Sequence, residues 1–177
     1  MRTLVRARVR TLAGTAARFV VIAVLLLLAI GEPARASAVS EGVAAFRRGD
    51  FPTAVRILGP LAERGNAEAQ ALLGFMYEYG RGVPQNAVVA VHWYVCAAEQ
   101  GNPAGQYHLG LMYDKGHGVP RSGVLAYKWL NLAAAAAPPS DRDYYLRIRD
   151  SVASKLNNAQ LAEGQLLVVN WVPKLQP

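Results

Sequence analysis

The chain is nearly free of cysteine. Cys96 stands alone among 177 residues, so no intramolecular disulfide can staple the fold and packing must hold it together. Histidine is scarce as well. His92, His108 and His117 show no H-x-x-x-H spacing, so neither a metal nor another cofactor is expected. The nucleophile signatures G-x-S-x-G and S-x-x-K are absent, which leaves no motif for covalent catalysis. The stretch Gly80 to Pro84 (G-R-G-V-P) is followed by no G-K-[ST], so it is not a phosphate loop. No enzyme is expected from this inventory. Cys96 reads as a small buried apolar group on a helix rather than a nucleophile.

Long apolar runs are confined to one place. Phe19 to Ile30 carry no charge, behind a head containing Arg2, Arg6, Arg8, Arg10 and Arg18. The small-residue stretch Ala34 to Ala38 follows. A basic head, an apolar core and an A-x-A site make a secretory signal over residues 1–38, cut after Ala38 or after Ala36. The rival is an uncleaved membrane anchor, for which about 20 apolar residues are needed. Export through the general secretory route to a bacterial periplasm or the exterior is the expectation. Contact with a membrane is expected only if the segment stays uncleaved.

The basic excess belongs to that segment. The chain carries a formal net charge of +7, of which residues 1–38 supply six Arg against Glu32, or +5. The remainder is close to neutral. Apart from Arg47-Arg48 and Arg142/Arg147/Arg149, which read as solvated helix faces, it shows no basic clustering. Nucleic acid is therefore not an expected partner.

What the chain does have is a repeat. Residues 65–100 and 101–136 match at 16 of 36 positions, where chance would give about two. Ala69, Leu72, Leu73, Met76 and Tyr77 lie at helical spacing on one face. Gly74 and Gly110 sit mid-helix, where Gly costs about 1 kcal/mol; a matched Gly there predicts close approach of the partner helix. Gly80 with Gly82, and Gly116 with Gly118, break the helix and can take positive φ. Val83 and Val119 are expected to plug the loop. Pro84 and Pro120 lead into the second helix. Ala90, Trp93, Ala97 and Ala98 are its expected buried stripe, repeated as Ala126, Trp129, Ala133 and Ala134.

These residues resemble the Sel-1-like repeat family, a branch of the tetratricopeptide-like helical repeats. Ala67-Glu68-Ala69, Leu73-Gly74, Tyr77, Gly80 to Val83, Ala90, Trp93-Tyr94 and Ala97 to Gly101 carry the resemblance, with Tyr113 repeating Tyr77. The second unit departs from the pattern at Gly105, Ser122 and Ala135 to Ala137. The resemblance implies an all-α, right-handed solenoid of about four antiparallel hairpins with end caps. Its parts are an N-terminal capping hairpin (39–64), two repeats (65–100 and 101–137) and C-terminal capping helices (138–177). Ser140 or Asp141 is expected to cap the first of these last helices, which runs to Lys155; Asn157-Asn158 break the chain before a second, from Ala159 to Trp171.

The resemblance also implies a concave groove lined by the first helix of each hairpin. Glu68, Ala71, Phe75, Glu78 and Tyr79 fall on that face, and the copy supplies Ala104, Tyr107, Leu111, Asp114 and Lys115. Aromatic and apolar groups beside acids suit a bound peptide. The expected role is an adaptor holding a protein or peptide. The rivals are a binding protein or enzyme for a cell-wall component, such as peptidoglycan or a β-lactam, and a membrane-anchored scaffold. Glu78 and Asp114 are equivalent acids; they read as solvated rim groups, with paired acid–base chemistry as the alternative.

Overall fold

A computed structural model describes residues 38–174. The expected signal segment lies outside the described residues, except for Ala38. Among the described residues there are eight helices and no strand. Helix α1 occupies residues 38–47. It is followed by α2 (Phe51–Glu63), α3 (Ala67–Tyr79), α4 (Ala87–Glu99), α5 (Pro103–Lys115), α6 (Gly123–Ala136), α7 (Pro139–Ala153) and α8 (Asn158–Val169). From α2 to α7 each helix packs on the next, and Gly42 of α1 lies against Leu58 of α2, giving a solenoid of hairpins.

Local chemistry sets the turns. Asn66 accepts from the Ala69 N–H at 2.8 Å, and Asn102 accepts from the Gly105 N–H at 2.9 Å. Each is an N-cap that satisfies an orphan donor of the first helix. Gly65 (φ 88°) and Gly101 (φ 87°) turn the chain just before these caps. At the other end, Gly80 and Gly116 close α3 and α5 in the left-handed conformation. Asn86 then caps α4 through the Val88 and Val89 N–H groups.

Four repeat glycines are required by packing. A Cβ on Gly74 would fall 2.7 Å from the Tyr94 ring, and one on Gly110 would fall 2.7 Å from Leu130. The close approach expected within each hairpin is present. Gly82 and Gly118 do something the repeat alone did not reveal. A Cβ on Gly118 would lie 2.5 Å from the Ala87 carbonyl oxygen, and one on Gly82 would lie 2.8 Å from the Phe51 carbonyl carbon. Each loop therefore presses on the start of the preceding second helix. Because α2 receives Gly82 as α4 receives Gly118, the N-terminal hairpin is a working rung of the array.

The core is built mainly from Ala, Leu and aromatic side chains. Ala69, Leu73 and Met76 of α3 are buried, while Leu72 and Tyr77 are half-buried. Val119 packs on the core, as its loop position suggested, and Val83 is half-buried. One expectation fails in α4. Tyr94 and Val91, not Trp93, complete the buried stripe with Ala90, Ala97 and Ala98. Trp93 remains partly exposed beside His92. Its counterpart Trp129 is buried because Trp171 meets it edge-on at 6.4 Å and Lys128 lies over its ring at 4.0 Å.

The C-terminal helices both pack on α6. Neither Ser140 nor Asp141 caps α7; Pro139 starts it without a side-chain cap, since its fixed φ suits the first turn. Helix α7 ends at Ala153, and Asn157 caps α8 with a capping box to Gln160. Gly164 of α8 lets the Tyr127 ring approach to 2.8 Å of where a Cβ would stand. The tail then returns toward α4, where the Lys174 N–H donates to the Glu99 carbonyl at 2.7 Å.

A candidate binding face of linked aromatic rings

The first helices α3 and α5 lie directly against each other, more closely than α4 lies against α6. The inner side of the curve is therefore the first-helix side. The ten residues expected there do not all reach the surface. Glu68, Tyr79, Ala104 and Lys115 are exposed, and Phe75, Tyr107, Leu111 and Asp114 are half-buried. Ala71 and Glu78 are buried, each 6% exposed. Ala71 lies on the packed side of its helix. Glu78 is drawn inward by hydrogen bonding.

The Tyr94 hydroxyl donates to Glu78 Oε2 at 2.6 Å, and His108 Nδ1 stands 3.4 Å from the same oxygen. Burial alone would raise the Glu78 carboxyl, but the His108 and Tyr94 contacts outweigh it and hold the group below its ordinary value. Burial and the adjacent Glu78 charge in turn push the Tyr94 phenol well above its usual range. Glu78 is thus not a solvated rim acid. Asp114, its repeat equivalent, takes both oxygens to Lys155 Nζ at 3.3 Å. Glu78 thus links α3 to α4 and α5, and Asp114 links α5 to the turn that follows α7. The Asp114 pair is partly exposed, so it adds little stability.

Above this network runs a chain of ring contacts. Phe46 of α1 meets Phe75 of α3 at 5.4 Å, and Phe75 meets Tyr79 at 4.5 Å and His108 of α5 at 5.9 Å. His108 stacks on Tyr94 at 4.9 Å and touches Tyr107 at 5.3 Å. Tyr107 stacks on Tyr145 of α7 at 4.3 Å, with planes 7° apart, and donates to the Tyr144 hydroxyl at 3.1 Å. The ladder crosses four rungs, α1 to α7. Tyr79 and Tyr144 are its most open rings, 48% and 47% exposed.

Phe46, Tyr144 and Tyr145 were not expected on this face. A signal existed for each. Phe46 stands three residues before the turn glycine Gly49 (φ 76°), as Tyr77 stands before Gly80 (φ 64°). Tyr144-Tyr145 are an aromatic pair in an otherwise polar helix. Elsewhere, Cys96 is half-buried rather than buried, because its side of α4 faces solvent, and its Sγ lies 3.9 Å from His92 Nε2. No group of three or more metal-ligating side chains occurs among the described residues.

A glutamine relay also joins the rungs. Gln70 Nε2 donates to the Ala62 carbonyl at 3.0 Å, and Gln106 Nε2 donates to the Ala98 carbonyl at 3.2 Å. Gln100 Nε2 then donates to Gln70 Oε1 at 2.7 Å. The second copy has Ala136 in place of Gln100, and Gln106 Oε1 is left buried without a partner.

Stacked hairpins, loops that key each rung to the last and a first-helix face of linked rings define an α-helical repeat protein. The two repeats are similar to the Sel1 repeat family. The family model matches residues 67–102 and 103–137, beginning at the first residues of α3 and α5. The chain is similar to the crystal structure of c5321, a protective antigen of uropathogenic Escherichia coli with an SLR fold, at a TM-score of 0.70 and 30% identity. That alignment covers 77% of this chain and 29% of the antigen. It is also similar to a Sel1 repeat protein from Oxalobacter formigenes, at a TM-score of 0.59 and 27% identity, over 76% of this chain and 56% of that one. Among curated proteins none matches the sequence.

Proposed function

We propose that this chain is an exported, non-enzymatic interaction module that holds a peptide or protein segment along its first-helix face. The continuous ladder from Phe46 to Tyr145 carries the reading. Aromatic anchors contribute most of the energy at many interfaces, and they lose little side-chain entropy on binding. Sel1 repeats generally serve protein–protein contact, which agrees. The Phe75→Ala/Tyr107→Ala double variant should lose at least tenfold of partner recovery in crosslinking from native envelopes, with helical circular dichroism retained. Equal recovery by wild type and variant would remove the reading.

Export rests on the basic head and apolar core of residues 1–38. No helix among the described residues is long and apolar enough to cross a membrane. N-terminal sequencing of the protein made in its host should begin at Ser37 or Val39. A chain that begins at Met1 would instead support an anchored form.

A further inference from the structure

We infer that the hairpin-loop edge of the array docks on a membrane surface rich in anionic phospholipid, through cations and apolar loop residues that only the fold brings together. This surface is distinct from the ring ladder, and it needs nothing from residues 1–38.

The stacking of the rungs builds the edge. Each hairpin turns once between its two helices, and the keying contacts set these turns side by side. Gly82 of the α3–α4 loop lies on Phe51 at the α1–α2 turn, and Arg81 stands over the Phe51 ring at 5.6 Å. Gly118 of the α5–α6 loop lies on Ala87, where the α3–α4 loop ends. Arg47 and Arg48 come from the first turn, Arg81 from the second, and Lys115 and Arg121 from the third. All five are exposed. They are scattered in the sequence, and stacking gathers them into one row.

The row is left with unspent positive charge. Asp50 is the exposed acid within it, and its carboxylate accepts from the Thr53 N–H. Asp114 and Lys155, on the same side, neutralise each other. None of the five cations joins an ion pair among the described residues. Arg121 is held through its Nε, which donates to the Asp114 carbonyl at 2.9 Å. Five cations against Asp50 contrast with the rest of residues 39–177, which hold eight cations and ten acids. The opposite edge, where one hairpin passes to the next, exposes Glu63, Glu68, Asp141 and Asp143. The molecule is therefore polarised across its width, and a negative surface attracts it with the loop edge first.

Apolar residues select lipid over a soluble polyanion. The second residue of the second helix recurs at this edge as Pro52, Val88 and Val124. Pro52 is exposed and Val88 is 66% exposed. Pro84 and Pro120 are exposed in the loops. Such groups, set among cations, gain nothing from an acidic peptide or a phosphate chain. At a bilayer the cations reach phosphates while the apolar tips enter the headgroup–acyl boundary, and both gain.

Vesicle flotation of the chain from Val39 onward tests this, since residues 39–177 form one compact unit that holds the whole described core. Vesicles of phosphatidylcholine alone are compared with vesicles of equal parts phosphatidylcholine and phosphatidylglycerol. The chain should float with the mixed vesicles only. It should be released between about 0.1 M and about 1 M salt, as the screening length falls from ~10 Å to ~3 Å. Arg48→Glu/Arg81→Glu/Lys115→Glu should weaken binding at least tenfold, since each cation near an anionic membrane contributes about fivefold. Arg56→Glu/Arg64→Glu/Arg142→Glu makes the same change in net charge away from the edge and should weaken it less than threefold. Val88→Ser should weaken it about twofold or more, through the lost apolar contact. Circular dichroism should match wild type throughout; where a reversal variant loses helicity, the Gln versions carry the same comparison. Equal loss in the two triple variants would overturn the inference, since net charge alone would then act. Release from vesicles by polyphosphate or polyglutamate at equal charge concentration would overturn it in favour of a soluble polyanion. Failure to float with the mixed vesicles would overturn it outright.

Discussion

The Tyr94 hydroxyl of α4 donates to Glu78 of α3 at 2.6 Å, with both side chains buried. This bond ties the two helices of the first repeat directly beneath the aromatic ladder. Tyr94→Phe keeps the ring and its stacking on His108 but leaves Glu78 one donor short. It should cost about 1–3 kcal/mol, read as a lower urea midpoint with an unchanged slope.

The same carboxyl sets an acid limb. Its folded-state pKa is depressed below the ordinary 4.5. Its contribution is therefore whole above 4.5 and is lost as pH falls through the lower folded-state value. The stability of Glu78→Gln should fall less steeply than that of wild type over this acid range. Parallel curves from urea titrations would exclude Glu78 as a source of the acid limb.

Gly118 is the clearest packing test. It has φ 73°, and a Cβ would strike the backbone of Ala87 at 2.5 Å. Gly49 has φ 76° but open space around it. Gly49→Ala should cost about 1–2 kcal/mol, the left-handed penalty alone. Gly118→Ala adds a clash with backbone that cannot rotate away, so its thermal midpoint should fall well below that of Gly49→Ala.

Ala136→Gln should be stabilising. It places an amide donor where Gln100 serves Gln70, opposite the unpartnered Gln106 oxygen. A gain of about 0.5–1.5 kcal/mol is expected by chemical denaturation. The paired variant Ala136→Gln/Gln106→Leu should lose that gain.

Much of the fold was legible in the chain because a repeat repeats its constraints. The glycines, the Asn caps and the small buried residues recur at one spacing and belong to one hairpin. The candidate face was harder to read. Helical periodicity puts Phe75, Tyr79, Tyr107 and Lys115 on one face, and only the family resemblance makes that face a groove. Glu78 and Ala71 do not reach its surface, because periodicity names a face without saying which end of it is roofed by the next helix. Trp93 was misjudged for the same reason. Its match Trp129 is buried by Trp171, a residue outside the repeat.

The hairpin unit, its period and its turn chemistry can be read from the chain, since these depend on contacts within about one repeat. How the rungs are keyed and what their common face presents emerge only from the packed helices. Gly118 meets Ala87, Glu78 meets His108, and Tyr107 meets Tyr145 across separate helices. Such contacts depend on the stacking of one hairpin upon the next, which no spacing within a single unit encodes.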